Sequence, residues 1–146
     1  MQEGVFFELF LSPEKGIGVR AGCDIYPGTR LLQYRGELLI GREQILAKEA
    51  SHSDEVGCYM FWFKHKDRQY CLDATEAPWH QFKARYINHS RRAANLKTIL
   101  MCDEQTHLLP QLWFVALRFI RAGEELLFDY GDRRREIVFS NPWLME

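Results

Sequence analysis

The four cysteines, Cys23, Cys58, Cys71 and Cys102, form no C-x-C or C-x-x-C pair. Their scatter argues against a zinc knuckle and against a dense disulfide framework, and reduced thiols in a cytosolic or nuclear protein are the expectation. His52, His65, His80 and His107 show no ligand spacing with them, so no metal site is expected. An excess of charge of one sign is missing too. With a formal net charge of −1, no global field drives the protein onto nucleic acid, and any attraction to DNA must be local. No uncharged apolar run is long enough to span a bilayer, and Met1-Gln2-Glu3-Gly4 puts no basic stretch ahead of an apolar one. A soluble protein without membrane contact is expected. There is no Walker-type Gly-Lys-Ser/Thr, no Ser-His-Asp or paired-carboxylate arrangement, no internal repeat, no low-complexity tract and no linker.

What the chain does have is apolar and aromatic content, 47% and 14% of 146 residues. That is enough to bury a core without metal or disulfide support, and one domain is expected. Residues 5–11 are a short aromatic run that suits a buried strand, ended by Ser12-Pro13 and then Lys15-Gly16-Ile17-Gly18. Residues 19–21 resume a strand, Tyr26-Pro27-Gly28 is a turn, and residues 30–34 and 37–40 read as two strands broken at Gly36. From Gly41 the residue types change to helix formers with a rough helical period, which predicts one helix from residue 42 to about 50. The polar stretch Ser51-His52-Ser53-Asp54-Glu55 then reads as an exposed loop. Residues 59–64 and 69–72 frame Lys66-Asp67 as a hairpin, and residues 98–102, 112–117 and 125–128 read as further strands. Many short strands with few helices predict a mainly β fold of small sheets, not alternating βαβ units.

Two segments carry the most specific signals. One reads Glu124-Glu125-Leu126-Leu127-Phe128-Asp129-Tyr130-Gly131-Asp132, and the other, well before it, Arg85-Tyr86-Ile87-Asn88-His89-Ser90. A phenol and an Asn-His pair from distant segments meet only in a built site. Taken singly, each has a bland reading: Asn-His as loop capping or a core histidine, Gly16-x-Gly18 as an ordinary tight turn, aromatics at strand ends as core filling.

Seven blocks in order give the sequence its resemblance to the SET domain. They are Lys15-Gly16-Ile17-Gly18-Val19, Tyr34-Arg35-Gly36-Glu37-Leu38, Gly57-Cys58-Tyr59-Met60, Tyr70-Cys71-Leu72-Asp73-Ala74-Thr75, Ile87-Asn88-His89-Ser90, the run from Ala122 through Asp129-Tyr130-Gly131 to Arg133, and Pro142-Trp143-Leu144. The chain is most similar to the short methyltransferases without a zinc-binding tail that monomethylate a lysine of the histone H4 tail. The resemblance implies a SET domain over residues 1–146, with residues 133–146 as a short C-terminal flanking segment and a knot-like C-terminal topology. It also implies S-adenosyl-L-methionine as cofactor and transfer of its methyl group to a protein lysine in a histone tail or nucleosome.

By resemblance, Tyr130 and Tyr34 serve catalysis, and Lys15, Gly16, Ile17, Gly18, Tyr59, Asn88, His89 and Trp143 bind the cofactor. Tyr34, Cys58, Tyr59, Phe128 and Tyr130 would line the lysine channel. A free tyrosine has a pKa of about 10 and is a poor base at neutral pH, so Tyr130 is expected to fix the substrate nitrogen and orient its lone pair. Relatives carry Tyr-Asp-Tyr where this chain has Phe128-Asp129-Tyr130. In the wider family the extra hydroxyl holds a water that limits the product to one methyl; phenylalanine removes that anchor, so further methylation is expected.

The resemblance also implies a monomer in the nucleus. Arg91-Arg92 and Arg133-Arg134-Arg135 are a solvated face in the plain reading and a local grip on DNA phosphates in the functional one. Two alternatives stay open: a catalytically silent SET-like module that binds a histone tail, and a methyltransferase of non-histone proteins.

Overall fold

The computed structural model describes residues 7–13, 16–52, 59–101 and 110–130. Among these described residues, ten strands form three small sheets. Strands β1 (Phe7–Ser12) and β2 (Gly16–Ala21) make an antiparallel pair. Strands β3 (Arg30–Tyr34), β7 (Asn88–His89), β8 (Leu96–Met101), β9 (Gln111–Ala116) and β10 (Leu127–Phe128) make a five-stranded sheet in the order β3-β9-β8-β10-β7. Strands β4 (Glu37–Ile40), β5 (Met60–His65) and β6 (Arg68–Asp73) make the third, with β6 central. The mainly β fold of small sheets is as expected.

Several elements follow from local chemistry. Lys66 and Asp67 take φ values of +50° and +64°, the left-handed pair that a two-residue hairpin loop requires, and His65 lies opposite Arg68. The helix α1 (Arg42–Ala50) begins after Gly41 without a side-chain cap, and the Gln44 side chain accepts the Ile40 N–H at 2.7 Å instead. Its buried residue is Ile45, which packs with Leu39, Met60, Trp62 and Cys71 into a small core against the third sheet. Gly36 separates β3 from β4 because a Cβ there would lie 2.8 Å from the Asp73 carbonyl.

The C-terminal part differs from expectation in an informative way. Residues 125–128 do not form one strand. Leu126 donates to the Val19 carbonyl, and Glu125 bridges Arg20, so the first half runs along β2. The chain then crosses to the large sheet, where β10 lies between β7 and β8 and is parallel to both. The knot-like topology implied by the resemblance involves the C-terminal segment, of which residues 131–146 lie outside the described residues. Strand β7 was not expected from the sequence because two residues give no alternation to read, and its partner lies far along the chain.

Candidate active site

One segment, residues 123–130, links the Gly16–Val19 block to the Ile87–Ser90 block. Its first half borders β2 with Gly16 and Gly18, β10 borders Asn88 and His89, and Tyr130 follows directly. Asn95 holds this segment in place. Its side chain, buried, accepts the Leu127 N–H at 2.8 Å and donates to the Glu125 carbonyl at 2.8 Å.

The polar corner lies where β2 meets β7. Gly16 and Gly18 are not a turn between strands, as the sequence suggested; they sit within β2, opposite Ser12 and Phe10. Each is glycine for a different reason. Gly16 has φ +78° with open space beside it, whereas a Cβ on Gly18 would lie 2.7 Å from Glu125 Oε2, 2.9 Å from Phe10 and 3.0 Å from Asn88 Nδ2. The Asn88 amide donates to Glu125 Oε2 at 2.9 Å and to the Ile17 carbonyl at 3.4 Å. With the NH2 group so committed, its carbonyl oxygen is left as an acceptor. Asn88 Oδ1, the Glu125 carboxylate and the Ile17 carbonyl together are a donor-seeking set that fits the ammonium end of an amino acid cofactor. His89 Nδ1 accepts the Tyr130 backbone N–H at 3.0 Å, so a neutral ring carries its proton on Nε2. The Asp129 carboxylate 3.9 Å from that same nitrogen is then no ion-pair partner for it.

The aromatic wall lies on the other side of β10. Tyr130 is buried, its hydroxyl donates to the Ile87 carbonyl at 3.0 Å, and its ring lies 5.0 Å from His89 and 4.4 Å from Phe128. Phe128, 3% exposed, stacks on Phe61 at 5.5 Å and meets Phe114 edge-on at 4.8 Å. Tyr34 packs against the same two rings, 5.3 Å from Phe61 and 6.4 Å from Phe114. The structure thus brings Tyr34, Phe128 and Tyr130 into one cluster of rings.

Tyr59 stands in a second group. Its ring meets Tyr86 edge-on at 5.7 Å, and the Arg85 guanidinium lies 4.3 Å from it and 4.5 Å from Tyr86. The two groups are joined through the backbone, since Tyr86 precedes Ile87, whose carbonyl holds the Tyr130 hydroxyl. Arg85 also donates to the Ala74 and Thr75 carbonyls at 2.9 and 3.2 Å.

Lys15, Cys58 and Trp143 lie outside the described residues, as do Arg133, Arg134 and Arg135; Arg91 and Arg92 are exposed. Among the described residues no group of three or more His, Cys, Asp or Glu side chains could hold a metal ion, and no helix is long and apolar enough to cross a membrane. Arg85, Asn95 and Glu125 are site residues that the sequence reading passed over. Arg85 and Glu125 lay in quoted segments and Asn95 did not, and only their hydrogen-bond partners reveal all three.

Comparison with known proteins points to one family. The SET domain family model matches residues 16–131. The chain is 40% identical over 141 residues to the Caenorhabditis elegans protein named histone-lysine N-methyltransferase set-1, covering 94% of this chain and 55% of that one. It is 37% identical to N-lysine methyltransferase KMT5A-A of Xenopus laevis, covering 98% of this chain and 41% of the relative. The crystal structure of CpSET8 from Cryptosporidium superposes with a TM-score of 0.73 at 39% identity, over 87% of this chain and 58% of that one. The chain therefore spans about half the length of these relatives. With the family model covering most of its length, and β10 set between β7 and β8 beside Tyr130, the chain belongs to the SET domain family.

Proposed function

We propose that this chain transfers a methyl group from S-adenosyl-L-methionine to the side-chain amine of a protein lysine, in a histone tail of the H4 type. The observation that carries this reading is the placement of Tyr130. Its hydroxyl proton is directed at the Ile87 carbonyl, which fixes the orientation of the phenol beside the ring cluster and supports a role in positioning an incoming amine. When bound, the cofactor supplies an already activated methyl on a sulfonium. The polar corner of Gly16, Ile17, Asn88 and His89 would hold it, with Lys15 and Trp143 as further contacts. Cys58 and Tyr59 would complete the channel begun by Tyr34, Phe128 and Tyr130.

The amine must reach the reaction uncharged. At pH 7 that costs a lysine in water about 4.6 kcal/mol. Burial against Tyr34, Phe61, Phe114 and Phe128 disfavours the ammonium by desolvation, so water can take the proton and no carboxylate base is needed. Phe128 faces three rings and has no hydroxyl to anchor a water, which supports addition of a second and third methyl. Capture of the tail by strand addition, nuclear residence and action as a monomer belong to the same reading.

The test is transfer of labelled methyl from S-adenosylmethionine to an H4-tail peptide and to nucleosomes, with mass spectrometry of the product. Di- or trimethyl-lysine is expected. A wild-type chain that binds peptide and transfers nothing is instead a reader. One that stops at monomethyl-lysine on prolonged turnover overturns the Phe128 argument.

A further inference from the structure

His52 reads from sequence as part of an exposed loop, and the structure contradicts this. It lies just beyond α1, yet its side chain is only 6% exposed, and its Nε2 is 2.7 Å from Oδ2 of Asp73, which is 2% exposed. Burying a carboxylate in this way requires every oxygen to meet a donor. The other oxygen, Oδ1, accepts both the Thr75 backbone N–H at 3.0 Å and the Thr75 hydroxyl at 2.6 Å.

The direction of these bonds matters. An ionised carboxylate only accepts, so the Thr75 hydroxyl proton must point at Asp73. The hydroxyl oxygen then turns a lone pair towards the Tyr59 backbone N–H, 2.9 Å away. Next door, the Ala74 N–H donates to the Tyr59 carbonyl at 2.8 Å. Tyr59 is thus held at both backbone groups by the two residues that follow β6, and His52, just beyond α1, buttresses the carboxylate that orients the Thr75 hydroxyl.

Other charges near the relay are weaker anchors. Lys48 lies 3.4 Å from Glu37 and 4.0 Å from Glu76, and His52 Nδ1 lies 3.8 Å from Glu76, whose side chain is 66% exposed. Pairs so exposed are screened by water and add little. The buried His52–Asp73 contact is the part of this cluster that fixes geometry.

We propose that His52, acting through Asp73 and Thr75, is a positioning residue for Tyr59 and so for the lysine channel that Tyr59 lines. This rests on the lysine-methyltransferase reading above. Gly16, Ile17, Gly18 and Asn88 belong to other strands, so loss of His52 leaves the cofactor's polar corner intact while it loosens the hold of the Thr75 hydroxyl on the Tyr59 N–H.

The experiment compares H52L and T75V, which break the relay, with H52Q and T75S, which keep a donor at the position of Nε2 and a hydroxyl at the position of Oγ1. Steady-state transfer to an H4-tail peptide should fall about 10- to 100-fold in kcat for each breaking variant, as expected for misplacement of a group at the reacting centre. The double variant should be hardly worse than either single one, because both cut the same chain of bonds. H52Q and T75S should restore most of the rate, and the calorimetric Kd for S-adenosylmethionine should change far less than kcat in every variant, because the polar corner is untouched. An unchanged kcat in H52L, losses that multiply in the double variant, or H52Q as slow as H52L would each overturn the proposal. If H52L does not fold, T75V carries the same test from the other end. Exchange of the Tyr59 amide hydrogen, read by NMR, judges the relay apart from activity. Faster exchange in T75V and H52L is expected, and unaltered exchange refutes the relay even if wild type transfers no methyl at all.

Discussion

The two sides of β10 are built on opposite principles. On one side, rings of Tyr34, Phe61, Phe114, Phe128 and Tyr130 meet at 4.4–6.4 Å, with the Tyr130 hydroxyl fixed by the Ile87 carbonyl. On the other, the Gly16–Gly18 backbone, Asn88 and Glu125 form a hydrogen-bonded corner, and His89 borders both groups, with its ring 5.0 Å from Tyr130. The first can exclude water from an amine; the second can satisfy a charged amino acid group. A two-residue strand separates them, so one short element sets the distance between what they hold.

The sharpest way to break the comparison is Y130F. Removing the oriented hydroxyl should lower kcat about 100- to 1000-fold, the usual cost of losing one preorganised polar group, with cofactor affinity retained. Single-turnover transfer beside calorimetry checks both halves of that statement. On the polar side, G18A places a Cβ 2.7 Å from Glu125 Oε2. It should weaken cofactor binding and destabilise the fold by about 1–3 kcal/mol through overpacking, measured by denaturant unfolding. A smaller effect on rate is expected from F128Y, whose outcome is a product confined to monomethyl-lysine by mass spectrometry.

The smallest effect should come from outside both regions. The Arg121 backbone N–H, at 3.1 Å, holds the Glu124 carboxyl below its ordinary pKa, with Arg118 assisting. A depressed carboxyl contributes stability above its unfolded value, about 4.3, and loses it as pH falls through the folded value. E124Q should therefore lower Tm slightly at pH 7, and the difference from wild type should vanish in acid, with transfer activity unaltered at neutral pH.

Sequence reading succeeded wherever the cause was local. Strands at residues 30–34 and 37–40 and the helix at 42–50 coincide with β3, β4 and α1 because alternation, Gly36 and Gly41 announce them. The Lys66-Asp67 hairpin did so by length alone. The site was legible only as a resemblance between blocks. Nothing in Glu125, Asn95 or Arg85 tells which backbone each will meet, and His52 looked like a loop residue because its carboxylate partner lies 21 positions away. Buried polar contacts of this range leave no periodicity. They are visible once strand order is known, and not before.

The most direct measurement is a crystal structure with S-adenosylhomocysteine and a lysine peptide bound. The account predicts the amino acid end of the nucleoside against Gly16, Ile17 and Asn88, the sulfur facing the Tyr130 hydroxyl across β10, and the lysine chain among Tyr34, Phe128 and Tyr130. A nucleoside seated elsewhere, or a lysine that enters without approaching the Tyr130 hydroxyl, would contradict it.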